Sequence, residues 1–310
     1  MIETPMDVLR DHPVRKSRKQ KQSFRKEVQS YAEDLGYRVT VEKGSMGSRN
    51  VVIGDPETAR YLITAHYDTP ASLWVPGLMV PCNLPLFVLS QIFLTVLLYA
   101  PTIAAAWLAV RFAPGTMLWY VVTLAMVWLT LLWLLFGPAN PRNANDNTSG
   151  VVAVLEIMQS MPVIMRDRVC FVLFDMEEQG MIGSASYRKK HRHAVKVQTI
   201  LNLDCVGDGD QIMLFPDKNV KNDERLMGWL CSMERTCGEK SIQIRKEGFH
   251  IFPSDQLGFP RGIGICALRG KGWFTYVGRI HTFRDTVLDY TNINILRACL
   301  ITLISSGAVE

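Results

Sequence analysis

The chain has 310 residues with a formal net charge of +5, enough for one large α/β domain or two smaller ones. Its basic residues lack the aromatic interleaving of a nucleic-acid platform, so no nucleic-acid partner is expected. Seven scattered cysteines without a C-x-x-C pair argue for reduced, buried thiols rather than a disulfide framework or a zinc knuckle.

The N-terminus is polar and then basic, with no apolar stretch following, which argues against a cleaved signal peptide. From Arg15 to Lys26 there are seven Lys/Arg and no acidic residue, read either as solvated helix charge or as attraction to an anionic membrane surface. Residues 17–35 predict an amphipathic helix through Phe24, Val28, Tyr31 and Leu35, stopped by Gly36. Strands follow at 37–41, 51–53 and 61–65, the last running into His66-Tyr67-Asp68.

Between Asp68 and Arg142 the only charged side chain is Arg111. Segments 84–110 and 117–136 are each long enough for a hydrocarbon core of about 30 Å. Trp74, Trp119 and Trp133 lie near their ends, where interfacial aromatics collect, and Pro101 is tolerated as a kink. A transmembrane helical hairpin with its tip at 111–115 is expected, in preference to a buried insert or an oligomer interface. The chain then divides into a first catalytic part at 1–72, the inserted hairpin at 73–138 and the rest of the catalytic domain at 139–310. Two spans return the chain to the side it left. The basic N-terminus and unpaired cysteines place that side at the cytoplasmic face of the lipid bilayer.

After the hairpin, a helix is expected at 150–160, a buried strand at 168–174, a helix at 183–193 and a buried strand at 197–203. Further strands are expected at 212–215, 241–246 and 264–268, with helices at 220–236 and 290–306. Alternating strands and helices predict an α/β sandwich with helices on both faces.

Metal-type ligands fall where these strands end: His66 and Asp68, Asp146, Glu177 and Glu178, Asp204, and His281. Asp146 lies in Asn145-Asp146-Asn147-Thr148-Ser149-Gly150, just before an apolar helix pattern, where Asp146 or Asn147 alone would be read as a helix cap. The two adjacent carboxylates after an apolar strand are hard to place without cations to offset repulsion and desolvation. Two histidines and three carboxylates suit zinc, with cobalt or manganese possible. With Asp146 as a bridge, they would hold two ions about 3.5–4 Å apart. One of the paired glutamates is then spare for general-base work on a bridging water.

His66-Tyr67-Asp68, the Asn145–Gly150 stretch, Asp175-Met176-Glu177-Glu178-Gln179-Gly180, Leu203-Asp204, Ser254-Asp255, and Arg279-Ile280-His281-Thr282 with Asp285-Thr286 resemble, in order, the motifs of the two-zinc aminopeptidases, family 28 of the metallopeptidases. The resemblance implies a three-layer αβα sandwich with a mixed central sheet. It implies that Asp146 bridges two Zn2+, that His66 and Asp204 complete one ion, and that Glu178 and His281 complete the other. Glu177 would be the general base and Asp68 the partner that orients the His66 imidazole. The implied reaction is hydrolysis of the N-terminal bond of a short peptide. An N-acyl amino acid amidase, a glutaminyl cyclase-like enzyme and an inactive membrane scaffold of the same fold are the alternatives. Two departures stand out. Ile251 occupies the place where many members carry a tyrosine, leaving His250 and Tyr276 as candidates to contact the substrate oxyanion. The hydrophobic hairpin also fills a connection that is short in the family.

Overall fold

The computed structural model describes residues 2–75, 77–248 and 250–306. Eleven strands form one sheet: β1 (Val39–Lys43), β2 (Arg49–Ile53), β3 (Tyr61–His66), β4 (Leu78–Met79), β5 (Val169–Phe174), β6 (Thr199–Leu203), β7 (Gln211–Pro216), β8 (Arg235–Cys237), β9 (Lys240–Ile244), β10 (Gly262–Lys271) and β11 (Phe274–Gly278). The order along the sheet is β1-β2-β5-β3-β6-β10-β7-β9-β8, with β11 paired to β10 and β4 paired to β11. At the centre, β5, β3, β6 and β10 run parallel; β1–β2, β2–β5, β10–β7 and β8–β9 are antiparallel. The sheet is mixed.

The central strands are buried along their whole length because both faces are covered. Alternate residues separate the two layers. Ile63, Phe171, Leu173 and Leu201 join one core with Phe24, Val28, Leu155 and Leu300, whereas Leu62, Cys170, Val172 and Ile200 join another with Tyr187 and Phe259. The first core is roofed by α2 (Arg18–Asp34), α5 (Gly150–Ser160) and α9 (Tyr290–Ser306), the second by α6 (Ile182–Lys190), all numbered in a chain order that starts with α1 (Asp7–Asp11). This is the three-layer αβα arrangement.

Helix α2 begins where Ser17 and Gln20 form a reciprocal capping box and ends before Gly36, whose φ of 84° suits glycine. Its basic run is not simply a solvated face. Arg15, Lys21 and Arg25 are buried, with Lys21 Nζ 2.6 Å from Asp175 Oδ1 and Arg25 Nη1 donating to the Tyr67 hydroxyl at 2.7 Å. The helix expected at 220–236 is broken into α7 (Lys218–Lys221) and α8 (Glu224–Ser232). Asp223 accepts from the Leu226 N–H at 2.9 Å and restarts the helix, and the last residues turn at Gly238 into the β8–β9 hairpin instead.

Between β4 and α5 stand α3 (Leu84–Phe112) and α4 (Leu118–Phe136), both long and apolar enough to cross a membrane by length and composition. They pack side by side and leave large apolar side chains such as Phe93 (61% exposed) and Trp128 (59%) facing outward. The base of the pair is anchored: Trp133 Nε1 donates to the Ser72 carbonyl at 3.0 Å and the Trp133 and Trp74 rings meet edge to face.

Candidate metal centre

Because β3, β5 and β6 are parallel neighbours, their C-terminal ends open on the same edge of the sheet. His66 is the last residue of β3, Glu177 and Glu178 follow β5, and Asp204 follows β6. Asp146 comes from the turn before α5, and His281 from the segment after β11. Helix α5 starts only at Gly150, and its free N–H is taken by Asn147 Oδ1 at 2.9 Å. Asn147 thus bonds the first N–H of the helix, and the Asp146 carboxylate faces the cluster.

The two oxygens of Asp146 divide between two groups. Oδ1 lies 3.5 Å from His66 Nε2, which is also 3.5 Å from Asp204 Oδ1. Oδ2 lies 3.2 Å from His281 Nε2, which is 3.6 Å from Glu178 Oε2. Within each of the sets His66–Asp146–Asp204 and Asp146–Glu178–His281, the donor atoms lie within 4.8 Å of one another. Glu177 joins a third such set with His66 and Glu178. Glu178 Oε1 and Asp204 Oδ1 are buried without a hydrogen-bond partner among the described residues, the kind of orphaned oxygen a cation would satisfy.

Asp68 ties two of these segments together. Its backbone carbonyl is 3.1 Å from His66 Nδ1 and its carboxylate 3.6 Å, so Nε2 is the nitrogen turned toward the cluster. That carboxylate also accepts from the backbone N–H groups of Glu177 at 3.0 Å and Glu178 at 3.3 Å. On the other side, Asp285 accepts from the N–H groups of Asn145 and Asp146, and Asn145 Oδ1 accepts from Gly207 at 2.7 Å. Arg15, fully buried, donates to Thr148 Oγ1 at 3.0 Å and to the Tyr67 carbonyl at 2.6 Å. Asp285 belongs to the Asp285-Thr286 pair already singled out in the sequence, though its clamp on the Asn145–Asp146 backbone was not foreseen, and the supporting role of Arg15 carried no distinguishing sequence signal. Arg15 reads as the first cation of a basic run.

The electrostatics are those of a desolvated acid cluster. Burial raises Glu178 to about 8 against the opposing pull of His281, and burial raises Glu177 well above the ordinary glutamate range. For His281, burial works against the charged ring, but Glu178 and the hydrogen bond to Asp146 outweigh it and lift the ring to about 9. Asp146 is held low: burial alone would raise it, and hydrogen bonds from His281 and His66 prevail. A divalent cation would favour ionised carboxylates and neutral imidazoles at these positions, so the donor set fits metal.

The cluster opens into a cavity of about 430 Å3. His66, Asp146, Glu177, Glu178, Asp204 and His281 line it together with residues of α3. His250 and Tyr276 are not among the residues lining it. The His250 ring lies 5.2 Å from that of Phe215, where burial lowers its pKa to about 4, and the Tyr276 ring lies 5.1 Å from that of Phe274. Ile251 donates its N–H to the Pro81 carbonyl at 3.0 Å, so this loop is pinned to the segment entering α3.

Comparison with known folds finds LapB from Legionella pneumophila, with a TM-score of 0.58 at 15% identity over 99% of this chain and 71% of that one. The LapA aminopeptidase of the same organism gives 0.60 at 13% identity over 99% and 71%. Glutaminyl cyclase from Porphyromonas gingivalis gives 0.55 at 16% identity over 98% of both chains. At such identities these likenesses speak for the fold. No curated protein sequence matches the chain. The model of peptidase family M28 matches residues 133–304, and the chain belongs to that family.

Proposed function

We propose that the protein is a membrane-anchored, two-zinc exopeptidase that removes N-terminal residues from short peptides. The observation that carries this reading is the division of Asp146 between His66 with Asp204 on one side and His281 with Glu178 on the other. Those five residues would hold the ions. When bound, two such cations polarise an amide carbonyl and lower the pKa of water between them.

The chain's own groups supply the rest. Glu177, beside His66 and Glu178 yet outside the five, is placed to accept a proton from the attacking water and return it to the departing amine. Asp68 fixes the His66 ring through Nδ1 and holds the backbone of both glutamates, so the base and a ligand keep their spacing. Burial of His66, Asp146 and Asp204 (1%, 3% and 7% exposed) keeps competing bulk water from these groups.

The anchor would be α3 and α4, about 44 Å and 29 Å long for their 29 and 19 residues. They match or exceed a hydrocarbon core of about 30 Å. Both halves of the catalytic domain then lie on one side of the bilayer. The seven cysteines are all free, which favours the reducing, cytoplasmic side.

The test is metal content together with an aminoacyl anilide and its N-blocked form. Two zinc ions per chain and cleavage of the free-amine substrate alone support the reading. Cleavage confined to the blocked form would instead make the enzyme an N-acyl amidase, and a chain that takes up no metal would end both.

A further inference from the structure

The cavity at the metal-ligand cluster is not closed by the α/β body. Part of its lining is α3, through Phe87, Gln91, Leu94 and Leu98, spaced three or four residues apart and so on one helix face. Leu98 also lines a second hollow of about 290 Å3, together with Trp74, Pro101, Met126 and Thr130, in the groove between α3 and α4. Leu98 is common to the linings of the two hollows. From Phe87 to Pro101 the path follows the helix for about 21 Å, at a rise of about 1.5 Å per residue.

Polar side chains along this path have turned their hydroxyls back onto the helices. Thr95 Oγ1 donates to Gln91 O at 2.7 Å, and Thr130 Oγ1 to Met126 O at 2.9 Å. Gln91 is the polar side chain on the wall of the first hollow, its Nε2 3.4 Å from the Leu78 carbonyl, whereas in the groove Leu98, Pro101 and Met126 present hydrocarbon. A peptide backbone laid there would leave its N–H and C=O groups without partners, at a cost of several kcal/mol each in an apolar setting. An alkyl chain carries no such penalty.

We propose that the substrate is an amide bearing a long unbranched hydrocarbon chain, with its amide at the ligand cluster and its chain running along α3 into the groove between α3 and α4. This rests on the reading of the cluster as an amide-hydrolysing site. The water oxygen bonds to the carbonyl carbon, the C–N bond breaks, one water proton leaves with the amine and the other stays with the carboxylic acid. The groove lies in the part of α3 and α4 assigned to the bilayer, so such a chain enters sideways from lipid.

A methylene moved from water into the track contributes about 0.8 kcal/mol, a factor of roughly four, but one moved from lipid gains little. The measurement therefore compares wild type with a blocked groove in the same vesicles. Full-length protein in phosphatidylcholine vesicles is given leucine methyl-, butyl- and octylamide, and in parallel acetyl-, butanoyl- and octanoyl-leucine. In one series kcat/KM should rise at least tenfold from the shortest to the longest member, which also shows whether the chain sits on the amine or the acyl side. Met126→Trp, which fills the groove, should lower the long-to-short ratio by tenfold or more. Hydrolysis with a flat series, or a chain-length preference untouched by Met126→Trp, would overturn the proposal, the latter by showing bilayer partitioning alone. A non-hydrolysable octyl analogue carrying a terminal diazirine reads the groove without requiring turnover or a folded variant. Labelling assigned by fragmentation to the Leu98 or Met126 side chain supports the track, and labelling confined to the outward-facing Trp107 and Trp128 side chains refutes it. Failure of the catalytic reading shows instead as no hydrolysis of any amide with the groove still labelled.

Discussion

The N–H of Asp146 donates to Asp285 Oδ2 at 2.9 Å, while the preceding N–H, that of Asn145, donates to Asp285 Oδ1 at 2.7 Å. One carboxylate thus clamps the two successive N–H groups that lead into Asp146, leaving the Asp146 side chain free to face both histidines. Burial raises Asp285 to about 7, with Asp146 adding to it and the two N–H groups opposing. Asp285→Ala removes the clamp and should weaken metal affinity by about 10–100-fold, the usual scale for a supporting contact. Asp285→Asn, which keeps one acceptor, should fall between. Zinc titration against a competing chelator reads both, and unchanged affinity in Asp285→Ala would show that the turn holds itself.

Glu177 and Glu178 are neighbours with opposite expected phenotypes. Glu177→Gln should keep its metal and lose about 10²–10⁴-fold in kcat. Asp146→Ala and Glu178→Gln should lose metal first and activity as a consequence. Metal analysis alongside kcat separates the two patterns, and near-normal turnover in Glu177→Gln would reassign the base.

Much of this site was legible because strand ends announce themselves. An apolar run such as 169–174 that gives way to Asp175-Met176-Glu177-Glu178 must put those charges at a sheet edge, and His66 and Asp204 follow the same logic. The packing between segments was not legible. Nothing in a basic run tells Arg15, buried and bonded to Thr148, from Arg18 a few residues on, which is exposed. The short strand β4 was equally silent, since two residues carry no period; its pairing of Met79 with Val277 exists only because β11 is already in place. His250 and Tyr276 were selected for their chemistry alone, and neither reaches the cavity lining.

That same pairing links the hairpin to a ligand. Gly77 sits where a Cβ would stand 1.6 Å from the Ile280 carbonyl oxygen, one residue before His281, and the Leu73 N–H donates to the His281 carbonyl at 2.7 Å. The segment entering α3 and the segment carrying His281 can approach this closely only with glycine at 77. Gly77→Ala should push the His281 segment away and lower occupancy of the site completed by Glu178 and His281, with less effect on His66 and Asp204. Metal stoichiometry falling from two toward one is the expected result; two tightly held ions would show that the segments separate without cost to the ligand.

Outside the candidate metal centre, His191 lies between two acids, with Nε2 3.0 Å from Glu42 Oε2 and Nδ1 2.5 Å from Glu57 Oε1, while Lys190 Nζ reaches Glu42 at 2.7 Å. Burial disfavours charge on His191, but the hydrogen bonds to Glu42 and Glu57 outweigh it and raise its pKa above 6.5. Glu42 is shifted down from 4.5: burial would raise it, and His191 and Lys190 overcome that. A histidine raised on folding contributes stability that is fully present below its unfolded pKa and lost as pH climbs through the folded value. A carboxylate lowered on folding contributes stability above its unfolded pKa and loses it as pH falls through the folded one. The pair is therefore strongest between about pH 5 and 6, above the usual glutamate value and below the usual histidine value. His191→Gln should cost about 1 kcal/mol there, roughly 2–4 °C in Tm, discounted because Glu57 is exposed to solvent. By pH 9 the cost should shrink as the wild-type ring loses its proton. Thermal unfolding of both proteins at pH 5.5 and pH 9 makes the comparison, and a penalty that grows with pH would reverse the assigned charge on His191.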